Sequence, residues 1–293
     1  MRLHHFLPAC AALLLCSLAA AQSTINPTNA HAYGANVGWI NLYADGANGV
    51  RVGEFFLSGK AWGANLGWIN FGSGAPANGF TYTNASAADG GVNHDGLGHL
   101  SGYAYAANIG WINFGWTANL LDPNHPALNL ATGQFSGFAY GANLGWINLG
   151  SGSLKNDMLA HSDTDGDGVD DAWEMQWFGN LTTAGIGTDS DGDGQSDAAE
   201  AIAGTDPTNP NDYLKIVSHS YAGGYTSVTI QFTSNPSRLY RLEHQADLTN
   251  ATWTDSGLGT FSPDTGTTTT RTFSFAASAR HFFRAVAVLP FSP

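Results

Sequence analysis

A unit of eleven residues recurs four times between residues 25 and 154, and it restricts the fold more than any other feature of the chain. It reads AYGANVGWINL from Ala32, AWGANLGWINF from Ala61, AYAANIGWINF from Ala104 and AYGANLGWINL from Ala139. Its tryptophans, Trp39, Trp68, Trp111 and Trp146, stand 29, 43 and 35 residues apart, a spacing typical of repeat architectures. Within the unit, Gly/Ala-Ala-Asn-x-Gly collects residues that tolerate positive φ, which predicts a turn between two strands. A five-residue loop sets Tyr33 opposite Trp39, Trp62 opposite Trp68, Tyr105 opposite Trp111 and Tyr140 opposite Trp146. Strand alternation puts Trp and Asn on one face and Ala, Ile and Leu or Phe on the other. Both faces are apolar, which for a strand implies cover on both sides. The expectation is a mainly-β chain whose repeats form a propeller- or solenoid-like array, with the Trp ladder packed as core. Asn41, Asn70, Asn113 and Asn148 are then expected to bond neighbouring backbone. The competing use of the ladder is a carbohydrate-binding face, because sugars stack on aromatic planes and bond to amides. His94, Asp95 and His99 flank a Gly-rich stretch and read as a surface turn rather than as metal ligands.

The acidic residues are concentrated elsewhere. Residues 157 to 212 hold fourteen Asp and Glu and no Lys or Arg, so without cations this segment would repel itself. Two twelve-residue stretches, DTDGDGVDDAWE from Asp163 and DSDGDGQSDAAE from Asp189, carry carboxylates at positions 1, 3, 5, 9 and 12 and glycine at position 6. A hard cation that takes six to eight oxygens needs such a tightly curled chain, with a backbone carbonyl at position 7 and a bidentate Glu at 12. The pattern predicts two calcium ions. One set is Asp163, Asp165, Asp167, Val169, Asp171 and Glu174; the other is Asp189, Asp191, Asp193, Gln195, Asp197 and Glu200. A short helix is expected after each loop, over 172–178 and 198–203, with Gly179 and Gly204 as C-terminal caps.

With no helix before either loop, these units differ from full EF-hands and resemble thrombospondin type 3-like calcium repeats of exported bacterial proteins. The resembling residues are the two loops and the trailing Gly204-Thr-Asp206-Pro-Thr-Asn-Pro. Dockerins, also built from paired loops, are the rival resemblance. The N-terminal repeats are similar to GWIN-type repeats of exported proteins. YRLEHQADLTNATW and RHFFRAVAV resemble a C-terminal β-module of the Verrucomicrobia-like kind.

Met1 to Ala21 read as a secretory signal peptide, with Arg2 at its start, an apolar run too short to span a bilayer, and small residues before Gln22. Both cysteines, Cys10 and Cys16, lie within it, which leaves the exported chain without disulfides or thiol chemistry. The net charge of −13 argues against nucleic acid or an anionic membrane as partner. From residue 213 to 293, alternation at Val228, Ile230 and Phe232 and strand signals over 239–244, 269–275 and 281–289 predict a small β-sandwich. No catalytic motif stands outside the acidic loops, so a non-enzymatic role is expected. The overall expectation is a secreted or cell-surface calcium-binding protein of a Gram-negative bacterium, structural or adhesive. Its partner would be an extracellular polysaccharide or cell-surface component.

Overall fold

The computed structural model describes residues 22–151, 153–222, 224–249, 251–276 and 280–291. Residues 1–21, expected to be a signal peptide, lie outside the described residues. The chain is mainly β, with two short helices.

Each repeat folds as the hairpin that its turn residues call for. The first pairs His31–Gly34 with Gly38–Asn41, the second Leu57–Gly63 with Gly67–Gly72. The third pairs Leu100–Ala106 with Gly110–Asn113, and the fourth Phe138–Gly141 with Gly145–Asn148. The registers Tyr33↔Trp39, Trp62↔Trp68, Tyr105↔Trp111 and Tyr140↔Trp146 are those that the sequence predicts. Three-residue turns close the hairpins, and the residue after each turn, Gly38, Gly67, Gly110 or Gly145, has φ between 76 and 84°. Only glycine takes that conformation without strain, which is why it recurs before every Trp.

The hairpins do not stack as a propeller or a solenoid. They pair edge to edge in a ring, through Ile40↔Gly63, Ile69↔Ala106, Gly141↔Ile112 and Gly34↔Ile147, and the eight strands close into one barrel. Closure removes the edges of the eight hairpin strands, while Arg51–Val52 and Val92–His94 pair as short outer strands on Leu57–Gly63 and Leu100–Ala106. At the turn end a ring of amides joins neighbours: Asn36 Nδ2 donates to Leu144 O, Asn65 to Val37 O, Asn108 to Leu66 O and Asn143 to Ile109 O, at 2.8–3.1 Å. The turn Asn thus serves closure. Replacing Asn108 by Ala is expected to lower stability by about 1 kcal/mol, the usual net value of one such bond, read as a shift in the urea midpoint.

Closure also decides which face is covered. Ala32, Ala61, Ala104, Ala139, Ile40, Ile69, Ile112 and Ile147 fill the inside with Leu42, Phe71, Phe114 and Leu149. These side chains suffice to fill the interior of an eight-stranded barrel, and alternation then leaves the indoles outside. Trp39, Trp68, Trp111 and Trp146 are 54, 45, 44 and 47% exposed, which overturns the expectation of a Trp core. Each leans on its cross-strand partner, with centroids 4.8–5.0 Å apart and rings steeply inclined. The GWIN asparagines bond the backbone two residues on, as expected: Asn41 Oδ1 accepts from Tyr43, Asn70 from Gly72, Asn113 from Gly115 and Asn148 from Gly150.

Residues 154–160 run back along the open end of the barrel, bonding Asn29, Thr24 and Val52 through backbone, and deliver the chain to the acidic segment. Beyond it, a three-stranded sheet of Ile216–Ala222, Ser227–Thr233 and Thr268–Ser274 accompanies a second of Thr254–Asp255, Leu239–Gln245 and Phe282–Val288. Val228, Ile230, Phe232, Tyr240 and Leu242 form the core between them, a small sandwich.

Candidate metal centre

The two acidic loops fold alike, and each ends in a seven-residue helix, α1 over Asp171–Trp177 and α2 over Asp197–Ala203. Gly204 caps α2 in the left-handed region at φ 73°, and Gly179 follows α1 at φ 68°. Hydrogen bonds from the loop amides hold the first carboxylate of each loop. Asp163 accepts from Gly166 at 2.7 Å, Asp167 at 3.1 Å and Gly168 at 3.0 Å; Asp189 accepts from Gly192 at 2.8 Å and Gly194 at 3.0 Å. Oxygens of Asp163, Asp165 and Asp167 come within 4.8 Å of one another, and so do those of Asp189, Asp191 and Asp193.

Glu174 and Glu200 sit on the two helices and are 0 and 1% exposed. Both carboxylate oxygens of Glu174 lack a hydrogen-bond partner, as do Glu200 Oε2, Asp191 Oδ2 and Asp193 Oδ2. Glu200 Oε1 accepts from the Thr205 hydroxyl at 3.1 Å. Burying a carboxylate with nothing to balance it is costly. Burial first, then the charges of Asp167 and Asp165, push the Glu174 carboxyl up to about 7. Burial again leads at Glu200, opposed by the Thr205 hydroxyl and helped by Asp191 and Asp193, and raises that carboxyl to about 7. Unpartnered buried oxygens facing carboxylates of the same sign fit a hard cation, which would neutralise all of them together.

The remaining predicted positions behave differently. Asp171 and Asp197 are spent on their own loops. Asp171 accepts from Ser162 Oγ, Thr164 N and Thr164 Oγ1, while Asp197 accepts from Thr188 Oγ1, Ser190 N and Ser190 Oγ. These bonds staple the start of each loop to its helix. Val169 and Gln195 donate their amides to Asp167 and Asp193 at 3.0 and 2.7 Å. The Val169 side chain is buried against Trp173 and Ala184.

The stapling hydroxyls are a part of the site that the carboxylate pattern alone does not reveal. Their signal was present, a Ser or Thr just before and just after the first Asp in both loops.

These two stretches match a known family. The family model of the bacterial TSP3 repeat covers residues 163–176 and 189–210. No curated protein and no solved structure matches the chain. Repeats of this family typically bind calcium and suggest an extracellular protein, and the Asp triplets of both loops lie within the match. Among the described residues no helix is long and apolar enough to cross a membrane.

Proposed function

We propose that the chain is an exported structural protein that binds two calcium ions, one in each acidic loop, and holds its barrel out as an adhesive unit. What carries this reading is the pair of buried glutamates, each with an unpartnered oxygen beside three aspartates. Asp163, Asp165, Asp167, the Val169 carbonyl and both oxygens of Glu174 would hold one ion. Asp189, Asp191, Asp193, the Gln195 carbonyl and Glu200 would hold the other. Asp171 and Asp197, engaged by hydroxyls, would act through a water, as the ninth position commonly does. The ions supply charge neutralisation and cross-linking. The protein supplies cages already curled by their own amide bonds, so little chain entropy is lost on binding.

Calorimetric titration of residues 22–293 tests this. Two equivalents of calcium are expected for the native chain, one for Glu174→Gln or Glu200→Gln, and none for the double variant. Absence of calcium heat at millimolar metal would falsify the reading. Because the ions bind the folded state, saturation at a hundred times the dissociation constant should add about 2.7 kcal/mol per site.

A further inference from the structure

We infer that the barrel carries two clefts for the sugar rings of a neutral polysaccharide, one beside Trp111 and one beside Trp146. The inference rests on the adhesive reading of the barrel and names its ligand class.

The outer aromatics are not equivalent around the ring. The first two repeats are joined by the shortest connection, 29 residues from Trp39 to Trp68, whereas the next two connections lengthen to 43 and 35. Long insertions between compact elements commonly carry function rather than structure. Both insertions return to the tryptophan that follows them. In the first, residues 84–87 and Gly90 lie against the indole of Trp111, while Asp89 of the short 3₁₀ turn Ala87–Asp89 turns to the amides of Ala77 and Thr83. A Cβ on Gly90 would sit 3.3 Å from that ring. In the second, Trp116 reaches Trp146 at 5.0 Å between centroids, fixed by a 2.6 Å bond from its Nε1 to Phe138 O.

The result is two open clefts of about 430 and 270 Å³, the size of small-ligand sites. The first has Trp111 and Tyr103 as platform and Asn84 and Ser86 as wall. The second is bounded by Trp146, by Trp116 and Phe138 standing steeply against it at 78 and 82°, and by Asn124. Asn84 is held rigid by Gly91 N and Tyr82 O, which leaves part of its bonding capacity open.

The chemistry of the linings selects the ligand. In a chain of net charge −13, no Asp, Glu, Lys or Arg lines either cleft. A charged ligand finds nothing to pair with. A purely apolar one wastes the amides and hydroxyls. A pyranose ring offers an apolar C–H face to the electron-rich indole and neutral hydroxyls to the amides around it. A lipid bilayer is a poor occupant: the barrel strands run four to seven residues, where a membrane strand needs about nine to eleven, and the inside is apolar.

Affinity electrophoresis of residues 22–293 tests the assignment, in gels containing xyloglucan, laminarin, mannan or the acidic polymer alginate. Retardation of at least fivefold-reduced strength is expected for Trp111→Ala and Trp146→Ala in a neutral gel that retards the native chain, with little change for Trp39→Ala. Ala87→Trp, which fills the first cleft and removes no ring, should weaken retardation alongside Trp111→Ala if the folds stay intact by circular dichroism. No retardation in any neutral gel, retardation confined to alginate, or equal loss with Trp39→Ala would each overturn the inference. So would a dimer that Trp111→Ala dissociates, since the belt would then be a self-interface. Calcium heat measured on the same samples separates the two readings. A chain that takes two ions and ignores every neutral polymer loses the clefts alone.

Discussion

At pH 5 each cage is expected to bind calcium about fiftyfold more weakly than at pH 7. Glu174 and Glu200 have carboxyls raised to about 7, so below that pH each holds a proton that the ion must expel. One proton released per ion gives about a tenfold loss of affinity per pH unit below 7 and a flat profile above it. Titrations at pH 6 in two buffers of different ionisation enthalpy should report about one proton released per calcium. An affinity that stays constant from pH 5 to 7 would sink the assignment of the two glutamates.

The same groups set an opposite trend in the calcium-free chain. Their folded values lie above the unfolded reference of 4.5, so the stability they contribute is complete below about 4.5. It is lost as the pH rises through about 7. Calcium-free protein should therefore melt at a lower temperature at pH 8 than at pH 5.5, and calcium-loaded protein at a higher one.

What could be read ahead of the structure was local. Tyr33 opposite Trp39 follows from turn chemistry and a period of two, both contained in nine residues. The exit helices and their glycines are equally local. Whether Trp39 faces in or out depends on how many hairpins meet and whether the ring shuts, and no single repeat contains that information. Closure turns the Ala, Ile, Leu and Phe face inward and leaves the indoles out, a property of the assembly and not of the alternation. Ile216–Ala222 escaped notice for a different reason: beyond its first residue the strand is exposed on both faces, so it shows no apolar alternation. Its pairing with Ser227–Thr233 comes from the neighbour's pattern.

Arg238 ties three parts of the chain to one another. Its side chain is 2% exposed although it belongs to the C-terminal sandwich. Nη1 pairs with Glu54 Oε1 of the barrel's first insertion at 2.7 Å. Nε donates to Ile202 O at 2.9 Å and Nη2 to Ala201 O at 2.7 Å, at the C-terminal end of α2, where a cation also meets the negative pole of the helix. One guanidinium thus joins the barrel unit, the helix after the second acidic loop and the sandwich, and Asn235 adds a bond to Gly204 O beside it. Replacing Arg238 by Met keeps much of the volume and strands Glu54 and two carbonyls. Loss of one partner from a buried pair commonly costs about 3–5 kcal/mol, the largest single-residue effect expected outside the cages. The native chain with calcium should melt in one calorimetric transition, and Arg238→Met should split it, with the barrel and the sandwich unfolding separately. Glu54→Gln should recover part of the loss when combined with Arg238→Met, because the stranded charge is then gone. A variant that keeps a single transition at the native midpoint would mean that the three parts are held by something other than this residue.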